Sequence, residues 1–240
     1  ITFGVLWFAA MVAAIINSPV VLAVLVASAA GLAGLQAGYA WFGDASPAKW
    51  WTAFAAFVPA VLGVMGPMGI GIGLGLGLLI LGAYTMVFPD DRTSPGIVFG
   101  ALVRSSLPIG LAAGSLVALT DFALGAILSL LVLVSAYEIG DFLVGSGSSN
   151  ALEGPISGIV SLGAVLFVLW VIAPTPFTDR SMVLFGILAA VCCPLGQILA
   201  SALLPRGAAW APALRRLDSY LVVAPLWLFL LQTSPDATSL

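Results

Sequence analysis

Seven cations and ten acids are all the charge that 240 residues carry, and that scarcity decides most of what this chain can become. Charged residues make up 7% of it and hydrophobic ones 62%, against about 25% charged in an ordinary soluble domain. So few charges cannot coat a water-facing surface. Lipid must be the main solvent, and a backbone in lipid has to satisfy its N–H and C=O groups internally. The expectation is an all-α, polytopic integral membrane bundle of about nine transmembrane helices. The hydrophobic segments follow one another with short connections, so residues 1–240 read as one domain. Residues 1–119 supply its N-terminal helices and residues 120–235 its motif-bearing ones.

Runs of apolar residues place the spans at Thr2–Ile16, Pro19–Trp41, Trp50–Met65, Met68–Phe88, Gly96–Leu119, Phe122–Val144, Pro155–Ile172, Met182–Leu204 and Leu217–Leu231. Breakers separate them: Asn17-Ser18-Pro19, Gly43 to Pro47, Pro89 to Arg92, Gly145 to Asn150, and Pro174-Thr175-Pro176. Ile1 to Asn17 has neither a basic n-region nor a small-residue cleavage site, so it reads as a helix and not as a signal peptide. Nine alternating spans put the even connections on the side of the N-terminus. That side receives Lys49, Arg92, Arg206, Arg215 and Arg216, with Arg104 two turns inside the fifth span, while Arg180 falls opposite. The bias predicts cytosolic even connections and a cytosolic N-terminus.

Several features are excluded or assigned to packing. No basic stripe supports nucleic-acid binding. Histidine is absent, which removes the usual general base and the commonest transition-metal ligand. Cys192 and Cys193 are adjacent in an apolar run and read as buried thiols that do not bridge. The Gly69–Gly77 stretch has no Lys-Ser or Lys-Thr after it and sits in mid-span. Gly69, Gly73 and Gly77 instead make a flat face for helix packing. Trp41, Trp50, Trp51, Trp170, Trp210 and Trp227 lie near span ends and read as interfacial anchors.

Chemistry is sought among the acids near membrane depth, since such residues are costly there. Glu138 and Asp141 share a helix face, Glu153 precedes Pro155 at a helix start, and Asp218 stands beside Arg215 and Arg216 where it can cap the next helix. All four lie toward one side. Carboxylates beside arginines at a lipid–water boundary suit a divalent cation and a phosphate-bearing head group. The expected cleft lies among spans six to nine, lined by Glu138, Asp141, Glu153, Arg216 and Asp218.

These residues resemble the signatures of the phosphatidate cytidylyltransferases, the CDP-diacylglycerol synthases. Arg216, Asp218, Ser219 and Pro225 match that family's C-terminal Asp-Arg-hydrophobic-Asp-Ser and its following proline. Glu138 to Gly145 is similar to Asp-x-Gly-Ala-Tyr-x-x-Gly, Leu152 to Gly158 to Trp-Glu-Gly-x-x-Gly-Gly, and Gly196 to Ser201 to Gly-Asp-Leu-x-Glu-Ser. The N-terminal half matches only in helix pattern, with Gln36 at a position often occupied by glutamate. The resemblance implies transfer of a cytidylyl group from CTP to phosphatidate in the cytoplasmic (bacterial inner) membrane, with Mg2+ as cofactor and a homodimer as the assembly. It assigns catalysis to Asp218, Glu138 and Glu153, the metal to Glu138 and Asp218, and the nucleotide or lipid phosphate to Arg216, Ser219, Asp141, Gly145 and Gly154.

The departures fall on the charged groups. Ser149 and Asn150 replace a lysine pair, Gln197 and Ala200 replace two acids, Arg215 reverses the charge of an aspartate, and a glycine-histidine element between Leu204 and Leu214 is missing. Removing one such group typically costs a factor of about 100 or more in rate. The expected function is therefore a diverged relative that binds an anionic phospholipid or lipid phosphate with little or no catalysis. Alternatives are an active CDP-lipid synthase, a structural subunit of a membrane complex, or a small transporter; no inverted repeat supports the last.

Overall fold

The computed structural model describes residues 2–89, 94–147, 150, 152–207 and 209–233. The expected Arg92 and Ser149 lie outside those residues. Nine α-helices follow in order among the described residues: α1 (Thr2–Asn17), α2 (Pro19–Phe42), α3 (Ala48–Leu62), α4 (Gly66–Val87), α5 (Pro95–Ala118), α6 (Leu124–Gly145), α7 (Glu153–Ile172), α8 (Asp179–Leu203) and α9 (Tyr220–Thr233). No strand occurs among them. Local chemistry sets the ends. Ser18 accepts the N–H of Val21 ahead of Pro19 at the start of α2, and Thr178 with Ser181 forms a reciprocal cap on α8.

Six stretches are long and apolar enough to cross a membrane, while α1 and α9 are shorter apolar helices. One of the six, Ala48–Val87, runs for 40 residues. A straight helix of that length would be about 60 Å long, twice the hydrocarbon thickness, and the chain instead folds back at Gly63–Met65. The glycine face of α4 makes the fold-back tight. A Cβ on Gly73 would lie 2.6 Å from Pro59 Cα, and one on Gly77 would lie 3.5 Å from Ala55 Cβ. The four-residue step from Gly73 to Gly77 along α4 meets a four-residue step back from Pro59 to Ala55 along α3. Gly71 and Gly75, on the other side of the same helix, meet nothing within 4 Å. The alternate glycines are thus split between a packed face and an open one.

The helices alternate, and long-range contacts gather one set of ends. Trp41 Nε1 near the end of α2 donates to Leu203 O at the end of α8 (2.8 Å), and Gln36 Oε1 accepts from Ala213 N (2.9 Å). Arg104, in the third turn of α5, donates to Ala202 O and stacks on the Trp41 ring at 5.5 Å. The rings of Trp51 and Tyr84, 6.0 Å apart, bring the end of α4 to the start of α3. Gly145 and Gly154 close the α6–α7 connection at the same end, where a Cβ on Gly145 would lie 3.1 Å from Gly154 Cα. The even connections therefore share one end, as alternation predicts. Arg180 lies in the first turn of α8 at the opposite end.

At that opposite end Phe177, Phe185 and Trp227 form a ring cluster with centroids 4.6–5.7 Å apart. Trp227 is fully buried there, which corrects its assignment as an interfacial anchor. The short α9 draws its tryptophan inward onto α8. Trp50, Trp51, Trp170 and Trp210 are exposed, as expected of ring anchors. Cys192 and Cys193 are buried free thiols.

Candidate functional site

The gathered end of the bundle holds most of the polar residues singled out above. Four elements build the site: the last two turns of α6, the first turn of α7, the last turns of α8, and the segment 213–219 before α9. Small residues let them meet. A Cβ on Gly154 would strike Asp141 Oδ1, and one on Gly196 would strike the Asp218 carbonyl. The glycine at 196 thus seats the 218–219 turn directly against α8, and the glycines at 145 and 154 bring α7 against Asp141.

Two hydrogen-bond chains run through this contact. Tyr137 Oη donates to Gln197 Oε1, and Gln197 Nε2 donates to Asp141 Oδ2, each at 3.0 Å. The second chain is built on Arg215. Its Nη1 donates to Ser201 Oγ at 3.2 Å and lies 3.9 Å from Asp218 Oδ2, and its Nη2 donates to Gly207 O at 2.8 Å. Asp218 is 6% exposed. Its Oδ1 accepts from the N–H of Ser219 at 2.7 Å and, more weakly, from the Ser219 hydroxyl. The carboxylate therefore sits one residue short of α9 and caps Ser219, where a helix N-cap had been expected. Asp218 lies in the connection before α9, outside the spanning helices. Burial pushes it up to about 6, against the pull of the Ser219 N–H and the Arg215 guanidinium.

Glu138 stands within electrostatic range of Asp218 and Arg216, and beside the Ser219 side chain. Its Oε1 is buried without a hydrogen-bond partner among the described residues. Arg216 is partly buried, forms no hydrogen bond or ion pair among the described residues, and comes close to the start of α1 at Gly4 (3.6 Å to a Cβ built there). Glu153 is exposed in the first turn of α7. The structure thus unites Glu138, Asp141, Arg216, Asp218 and Ser219 around Gly145 and Gly154, and leaves Glu153 at the rim.

Sequence reasoning overlooked Tyr137 and Gly207, and placed Ser201 only as the end of a motif. Tyr137 was findable, since it stands four residues before Asp141 and shares its face. Ser201 and Gly207 enter only because α8 and the following loop close around Arg215.

A divalent ion was expected at Glu138 and Asp218, and the donor set answers that chemically. Among the described residues no three acidic or thiol side chains group as a cation site. One oxygen of Asp141 is held by an amide, one of Asp218 by a backbone N–H, and the other faces a guanidinium. These residues do not make a six-oxygen cage of protein ligands; a magnesium ion held by Glu138 and Asp218 would have to complete its shell with water and substrate phosphate. What they make is a carboxylate cluster in which Arg215 supplies an internal counter-charge to Asp218. No family model matches the sequence, and no curated protein matches it.

Proposed function

We propose that this chain is a diverged phosphatidate cytidylyltransferase-like membrane protein that binds an anionic phospholipid or lipid phosphate at the gathered end of the bundle, without catalysing cytidylyl transfer. The observation that carries this reading is the division of labour between two neighbouring arginines. Arg215 is spent on Ser201, Gly207 and Asp218, where it supplies the positive charge that a metal would bring. Arg216 makes no hydrogen bond or salt bridge among the described residues, with Glu138 only within electrostatic range of it, and it borders a shallow depression lined by Ala209, Trp210, Ala211, Pro212 and both arginines. A phosphate recruits a guanidinium through charge-assisted, bidentate hydrogen bonds, and an exposed tryptophan at a bilayer edge suits the glycerol region above it. In this reading the gathered end is cytosolic, in line with the clustering of Lys49, Arg104, Arg206, Arg215 and Arg216 there. The helices that pack as separate rods each cross the membrane.

Phosphoryl chemistry on a CTP substrate depends on cations that neutralise the triphosphate. Arg215 lies against Asp218, one of the two acids assigned to them, and Gln197 holds the neighbouring Asp141. The purified protein is therefore expected to form no CDP-diacylglycerol from phosphatidate, CTP and Mg2+, yet to retain anionic phospholipid through detergent extraction. Retention should fall in Arg216→Ala.

A second reading is an active synthase, and one observation favours it. The buried, unpartnered Oε1 of Glu138 is a place where a cation would be welcome. Magnesium-dependent CDP-diacylglycerol formation, abolished by Asp218→Asn, would establish that reading in place of the first.

A further inference from the structure

A second depression, of about 470 Å³, lies on the other side of Trp210, between α2, α3 and the segment before α9. Its walls include Gln36, Tyr39, Trp50 and Trp210, and among the described residues its charged lining is Asp44 and Lys49. Three rings stand exposed around it: Tyr39 at 52%, Trp50 at 62% and Trp210 at 77%. The Lys49 ammonium is paired with the Asp44 carboxylate and also lies 5.9 Å from the Tyr39 ring. The two charges are unequally placed. The Lys49 side chain is 14% exposed and that of Asp44 is 84% exposed, so the positive charge sits inside and the negative one outside.

We infer that this depression holds the head group of a zwitterionic phospholipid, with its phosphate on Lys49 and its ammonium on Asp44 among the aromatic rings. The lining has one cation and one anion, so it attracts a dipole and has no net pull on a singly charged anion. Rings of tryptophan and tyrosine attract an ammonium through their negative faces, most strongly when it is methylated. The Asp44 carboxylate adds a charge-assisted partner. An apolar track continues from the depression toward the middle of the bundle. Leu32 on α2 and Phe54 and Phe57 on α3 are exposed along it. Gly31 leaves room for Phe57, whose ring carbon would lie 3.5 Å from a Cβ there. Acyl chains can follow that track. The depression beyond Trp210 differs in kind, since both charged residues in its lining are arginines. Trp210 thus separates a dipolar site from a cationic one.

The test is lipid retention by native mass spectrometry. The delipidated full-length protein in a neutral detergent is given dioleoylphosphatidylethanolamine, dioleoylphosphatidylcholine or dioleoylphosphatidylglycerol. The wild type should retain one zwitterionic lipid, and Asp44→Lys should lower that retention about tenfold, the size of one charge-assisted contact. The reversed pair Asp44→Lys with Lys49→Asp should restore it, because the dipole is inverted but kept. Trp210→Ala should weaken it without touching the fold, given the exposure of that ring. Arg216→Ala should leave it unchanged while lowering retention of phosphatidylglycerol, so the two depressions fail separately. The inference is overturned if the wild type retains no zwitterionic lipid, or if Asp44→Lys retains it fully. It is equally overturned if Arg216→Ala removes it, or if a reversed pair that melts like the wild type stays empty.

Discussion

A single methyl group placed on alternate glycines of α4 separates packing from propensity. Gly73 and Gly75 are both mid-helix, so alanine improves intrinsic helix propensity at each by about 0.8–1.0 kcal/mol. Their surroundings differ. At Gly73 the new Cβ would meet Pro59 Cα at 2.6 Å, its N at 2.9 Å and its Cβ at 3.2 Å. These atoms belong to a proline inside α3 and cannot rotate away, so one of the two helices must shift. Overpacking of this kind costs about 1–3 kcal/mol. At Gly75 the Cβ meets nothing within 4 Å. Because the propensity gain is shared, the difference between Gly73→Ala and Gly75→Ala isolates the contact at about 1–3 kcal/mol. For a chain of this size that corresponds to a gap of roughly 2–4 °C in melting temperature per kcal/mol. The chain carries its own reporter, since its two cysteines, Cys192 and Cys193, are buried. A thiol-reactive dye in detergent therefore reads global unfolding. Gly73→Ala should melt below the wild type and Gly75→Ala at or slightly above it. Equal melting of the two variants would refute the fold-back of α4 on α3.

Other outcomes follow from the remaining contacts. Trp227→Ala removes a fully buried ring from the Phe177–Phe185 cluster and should cost about 3–5 kcal/mol in the same melting assay. Gln197→Leu leaves the Tyr137 hydroxyl without its acceptor and Asp141 without a donor, an expected loss of about 1–3 kcal/mol, whereas Gln197→Asn should retain part of it. With Asp218 pushed up to about 6, its charge disappears as pH falls through that value and stops opposing an anion at Arg216. Retention of phosphatidylglycerol should rise from pH 7.5 to pH 5, and Asp218→Asn should flatten the profile; wild-type retention that does not change with pH would sink this point. In single-cysteine variants made on a Cys192→Ala, Cys193→Ala background, positions 44, 147 and 206 should react with an impermeant reagent from one face of the membrane and position 179 from the other.

Much of this molecule is legible one residue at a time. Membrane solvation follows from scarce charge, because lipid leaves the backbone no partner but itself. The helix positions follow from apolar run length and from Ser18-Pro19 and Gly43, whose local geometry needs no tertiary help. The four-residue glycine repeat of α4 was readable as a packing face because periodicity alone puts Gly69, Gly73 and Gly77 on one side. What tertiary structure decided is which partner each group meets. Nothing local says that Trp41 and Arg104 close the end of α8, that Gln36 accepts from Ala213, or that Trp227 turns inward. Each is a contact between residues more than 40 positions apart, set by how the helices lean on one another. The same holds for the acids. Spacing alone paired Glu138 with Asp141, but only the seating of residues 218–219 on Gly196 brought Asp218 to them, and only the closure of the loop around Arg215 turned one of two adjacent arginines into an internal counter-ion of Asp218.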